Sequence, residues 1–133
     1  MVDQDASFYL MVVVAMSDQE IHEKEATTIK EIANKFKIKF DPYLAAQEIS
    51  EKFGNYFNRA CDYYISIIQN NEVQKDTLEF IKKITYADAK IHDKEIEIVE
   101  KCRKKWGINW KLFLFYDLLK DVFNIDIINE AKP

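Results

Sequence analysis

The chain holds only two glycines and two prolines in 133 residues. That scarcity constrains the fold more than any motif does. A sheet-rich domain needs turn residues every eight to twelve positions or so, and this sequence does not supply them. Helices joined by short polar breaks remain. Apolar residues make up 48% of the chain, enough for a real core within one domain spanning residues 1–133.

Seven helices are predicted from spacing and caps. Ser7 caps a first helix that runs to about Met16, through the apolar stretch Phe8–Met16. The second covers about Glu23–Phe36, with Ala26, Ile29, Ile32, Ala33 and Phe36 on one face. Asp41 followed by Pro42 starts the third, a capping carboxylate and then proline at the first helical position, and this helix runs to about Lys52. The fourth, about Tyr56–Gln69, is apolar over much of its girth and suits a central place. "QNNE" ends it. The fifth spans about Lys75–Tyr86, the sixth Lys94–Trp106, and the seventh begins after Asn109 and runs past Phe123.

A repeat then fixes how these helices group. "DQEIHEKE" at 18–25 returns as "DAKIHDKE" at 88–95, seventy residues later. The same offset aligns Ser7 with Thr77, Leu10 with Phe80, Met11 with Ile81 and Val14 with Ile84. Beyond the octets it aligns Ile29 with Val99, Ile32 with Cys102, Phe36 with Trp106 and Ile38 with Ile108. Apolar meets apolar at the core positions. The expected architecture is therefore an all-α bundle of about seven helices, two duplicated three-helix units flanking a central helix, related by an approximate twofold axis. The two acidic loops would occupy equivalent positions and could lie side by side.

Each octet admits a local reading. With His22 as cap, Glu25 falls at the third helical position and can reach back to the cap amide, and His92 with Glu95 repeats the arrangement. Asp18 and Asp88 can close their loops as Asx-turns, while Ile21 and Ile91 plug into the core. The same letters also admit a ligand reading. Asp, then Ile three on, then Glu seven on matches the second half of a calcium-binding EF-hand loop. The leading half is missing, because Val14 and Met16 or Ile84 and Tyr86 stand where its first ligands belong, and Gln19 and Ala89 replace its glycine. An EF-hand is excluded. A shared site is not: Asp18, Glu25, Asp88 and Glu95 could offer four carboxylates to one ion. Hard oxygen donors point to calcium or magnesium. His22 and His92 would be accessory nitrogens for a transition metal, or simply caps.

"AMSDQEIHEKE" (15–25) and "TYADAKIHDKE" (85–95), set among helices, resemble the TerB family of tellurite-resistance proteins, whose fold the N-terminal domain of the DjlA co-chaperones shares. The pattern concerned is A-x-x-D-G-x-I-x-x-x-E, here without its glycine. The resemblance implies a compact bundle of about seven helices without enzymatic activity, in a bacterial cytoplasm. It also implies divalent metal at Asp18, Glu25, Asp88 and Glu95, and work with membrane partners in stress or phage defence.

Other classes have little support. A net charge of −4 argues against nucleic acid as the partner. No dinucleotide fingerprint, P-loop, nucleophile elbow or HExxH occurs, so an enzyme is not expected. Phe8–Met16 lacks the basic flank of an export signal, and no run of residues is long enough to span a membrane. Cys61 and Cys102 stand alone in sequence, so both are expected to be reduced and buried, as in a reducing cytoplasm. The alternative to an ion site is a protein-interaction adaptor. Its surface would be Trp110–Ile128, where Phe113, Leu114, Tyr116 and Leu118 cannot share one face.

Overall fold

The structure, a computed structural model, describes residues 1–16, 21–87 and 93–107. Within them lie six helices and no strand: α1 (Asp3–Ala15), α2 (Glu23–Lys35), α3 (Pro42–Phe53), α4 (Phe57–Ile67), α5 (Asn71–Ala87) and α6 (Asp93–Trp106). The all-α expectation holds for these residues. The predicted seventh helix lies outside them.

α1 is the helix buried on every side. Ala6, Ser7, Phe8 and every residue from Leu10 to Ala15 lie in the core. It packs against all five other helices, most heavily against α4 and α5. A segment apolar around its whole girth has no face to give to water, so it takes the middle. Each fully buried Leu, Met, Val or Phe there contributes about 1.5–3 kcal/mol. The fourth helix, expected to be apolar over much of its girth, instead buries one face through Ala60, Cys61, Tyr64 and Ile65. It links the two units by packing on both α1 and α6.

Helix ends follow local chemistry, with one departure. Asp41 Oδ1 accepts from the amides of Tyr43 (2.9 Å) and Leu44 (3.3 Å), with Pro42 opening α3 as predicted. α5 begins at Asn71, ahead of the predicted Lys75, because Asn70 Oδ1 caps it through the amides of Glu72 (2.9 Å) and Val73 (3.2 Å). Ser7 does not cap α1, which starts four residues earlier at Asp3. Its hydroxyl faces the interior instead, where packing rather than an N-terminus claims it.

That hydroxyl meets its own counterpart in the repeat. Ser7 Oγ lies 2.6 Å from Thr77 Oγ1, and both residues are buried. The two are repeat equivalents, and a contact between counterparts is what a twofold axis between the units requires. Thr77 Oγ1 donates its one proton to Val73 O at 2.5 Å, so Ser7 is the donor in the pair. The ends of α2 and α6 repeat as well. Lys37 (φ 58°) and Gly107 (φ 65°) both take the left-handed conformation at equivalent positions. After α2 the Ile38 amide bonds back to Ala33 O at 3.0 Å, closing a Schellman turn.

Candidate functional site

The site is built on the pair α1 and α5. Three contacts between them advance in the same order along both chains. Asp3 Oδ2 accepts from the amides of Gln69 (2.9 Å) and Asn70 (2.8 Å), Ser7 meets Thr77, and the rings of Phe8 and Phe80 stack at 6.5 Å. An antiparallel pair that joined Ser7 to Thr77 would hold Asp3 about 16 Å from Asn70 along the axes, at 1.5 Å per residue. The helices therefore run in the same direction. The C-terminal ends of α1 and α5, which precede the two octets in sequence, consequently lie at the same end of the pair.

The predicted site residues fall differently with respect to the described structure. Asp18, Asp88 and His92 lie outside the described residues. Glu95 belongs to the first turn of α6, with its side chain likewise outside the description. His22 is the N-cap of α2 by position (φ −80°, ψ 149°), and its side chain makes no capping hydrogen bond. Glu25 sits on the first turn of α2, where the negative charge suits the helix N-terminus. It is only 2% exposed. A carboxylate buried to that degree holds its charge only with a compensating interaction, and Glu25 is engaged in one. Ile21 packs against the edge of the core, as its place in the octet suggested.

Sequence reasoning missed Asp3, whose carboxylate pins the start of α1 to the α4–α5 junction and so sets the register of the pair. It also missed that Ser7 and Thr77 meet, although their shared place in the repeat was the available signal. Among the described residues no group of three or more His, Cys, Asp or Glu side chains converges as a metal site. No described helix is long and apolar enough to cross a membrane.

Beside this end of the bundle an open groove runs between α1, α3 and α4, lined by Val13, Met16, Ile49, Phe53 and Ala60. Tyr43, Leu44, Tyr56 and Tyr63 stand exposed on α3 and α4 or the turn between them. Cations cover three of the rings: Lys30 lies 5.5 Å from the centroid of Tyr43, Lys52 3.9 Å from Tyr63, and Arg59 4.5 Å from Tyr56.

No curated protein and no solved structure matches the chain. The family model described as tellurite resistance protein TerB matches residues 4–113, a span that takes in both octets and the helices that carry them. The chain belongs to the TerB family.

Proposed function

We propose that this TerB domain acts without catalysis as a stress-response module of the bacterial cytoplasm, binding one hard divalent cation, calcium or magnesium, between its two acidic octets. Asp18, Glu25, Asp88 and Glu95 supply the oxygens, and His22 and His92 stand as accessory groups. The observation that supports the reading is the shared direction of α1 and α5, which sets at one end the two helix C-termini that precede the octets in sequence. The donor chemistry fits too: carboxylates without thiols select calcium or magnesium over zinc. The bound ion would neutralise the gathered carboxylates and hold the two loops in one arrangement, which a protein partner at the membrane could then read.

The test is thermal unfolding of the wild type and of Glu25→Gln with Glu95→Gln, each in chelator and in millimolar calcium or magnesium. Glutamine keeps an acceptor but loses the charge and the bidentate grip. The wild type is expected to melt higher with cation, by mass action on the native state. The variant should lose most of that rise. A wild type whose melting temperature ignores both cations would refute the site.

The adaptor reading draws on a separate observation, the exposed rings of Tyr43, Tyr56 and Tyr63 under their cations. In that reading the acids serve as helix caps and α3 with α4 meets the partner. Substituting Leu44→Asp and Tyr56→Ala would separate the two. Loss of partner binding with an unchanged cation response favours the adaptor surface, and the Trp110–Ile128 segment remains its second proposed element.

A further inference from the structure

Cys61 and Cys102 occupy the interface of α4 and α6, and neither proposed function uses them. Two bonds fix the register of these helices. Lys101 Nζ reaches Asp62 Oδ1 at 2.9 Å, and Trp106 Nε1–H donates to Ile65 O at 3.2 Å. Both contacts advance together along the two chains, so α4 and α6 run in the same direction. One helical turn back from Ile65 and Trp106, by four residues on each helix, stand Cys61 and Cys102. The Asp62–Lys101 bridge joins the residue after the first cysteine to the residue before the second. Both cysteines have 0% exposure, and both are free thiols. The repeat equivalent of Cys102 is Ile32, an ordinary core residue, so the second unit carries a thiol where the first carries hydrocarbon.

We propose that Cys61 and Cys102 form a closed dithiol that a two-electron thiol oxidant converts, reversibly, into an intramolecular disulfide tying α6 to α4. The sulfur–sulfur bond forms as the two S–H bonds break. Two electrons and two protons pass to the oxidant, and a dithiol reductant reverses the exchange. Burial pushes the Cys61 thiol up to about 12. Burial first, and then the neighbouring Cys61, hold Cys102 well above its ordinary value. Both thiols are therefore protonated at neutral pH and react only when the α4–α6 interface opens. The crosslink would fasten α6, whose first turn holds the last residues of the second octet, to the helix that packs on α1.

The experiment treats the full chain with diamide, natively and in sub-denaturing urea. Intact mass, thiols alkylated after denaturation and far-ultraviolet circular dichroism are then measured. Diamide takes up the two electrons and two protons, its N=N bond becoming N–N with two N–H bonds. The expected product is a monomer about 2 Da lighter that has lost both alkylatable thiols together, keeps its helicity and reverts in dithiothreitol. Its formation should quicken with urea and become independent of diamide concentration, because opening limits the rate. Cys61→Ser and Cys102→Ala should each abolish the lighter monomer, and either variant suffices if the other folds poorly. Two thiols still alkylatable after prolonged treatment in urea would overturn the proposal. Crosslinked dimers or diamide adducts as the end product, or loss of helicity on oxidation, would overturn it equally.

Discussion

The Ser7–Thr77 contact makes a strong test of the duplicated architecture, because its two halves are not equivalent in hydrogen bonding. Thr77 spends its proton on Val73 O, and Ser7 donates to Thr77 Oγ1. Ser7→Ala removes the donor and leaves Thr77 satisfied. The lost bond costs about 0.5–1.5 kcal/mol, and alanine's better helix propensity returns a few tenths, so a net loss of about 0.2–1.2 kcal/mol is expected. Thr77→Val keeps the shape but removes the acceptor, leaving a buried hydroxyl with no partner. That penalty is about 1–3 kcal/mol. In the double variant both polar groups are gone, and its stability should return to within about 1 kcal/mol of wild type. The double-mutant cycle should therefore show a coupling of about 1–2 kcal/mol in favour of the double variant. Urea unfolding followed by circular dichroism at constant m-value reads all four free energies, and each kcal/mol moves the melting temperature by roughly 3–4 °C at this size. Additive losses, or a Thr77→Val no worse than Ser7→Ala, would refute the donor assignment. They would show that Ser7 finds another acceptor, such as a carbonyl one turn back in α1.

Two further predictions concern repeat-equivalent turns and alkaline pH. Lys37→Gly should stabilise the protein by about 0.5–1 kcal/mol, since glycine takes the left-handed conformation without strain. Gly107→Ala should destabilise it by about 1 kcal/mol through conformation alone, no described atom lying within 4 Å of the added Cβ. Equal signs for the two substitutions in denaturant titrations would break the equivalence. At high pH, burial and then the Glu48 hydrogen bond at 2.6 Å push the Tyr9 phenol up to about 12, burial does the same for Tyr64, and burial raises Cys61 to about 12. Raised folded values mean stability that is fully present below the unfolded values and lost as pH climbs towards the folded ones. Stability should thus begin to fall near pH 9 from Cys61 and fall further between pH 10 and 12 from the tyrosines. Tyr9→Phe should make the fall between pH 10 and 12 shallower; an unchanged profile would dismiss Tyr9 as a contributor.

The sequence by itself determined the class and the family. Few glycines and prolines leave helices as the only economical elements, and Asp41–Pro42 starts α3 because a cap is a contact between near neighbours. The octets and their spacing pointed to TerB, the family that the chain proves to share. Local chemistry was less decisive where tertiary partners compete. Ser7 has the side chain of a cap, yet the apolar residues around it draw α1 into the centre and its hydroxyl finds Thr77. Glu25 is spaced as a capping-box glutamate, but its withdrawal from water at the base of α2 came only with the packing. The common direction of α1 and α5 could not be read from the repeat, because a twofold axis can relate two helices either parallel or antiparallel. Long-range contacts decide that choice, namely Asp3 on the start of α5 and Ser7 on Thr77. The repeat supplied two acidic phrases; side-chain contacts between residues far apart in sequence brought the helix ends that precede them to one end of the pair.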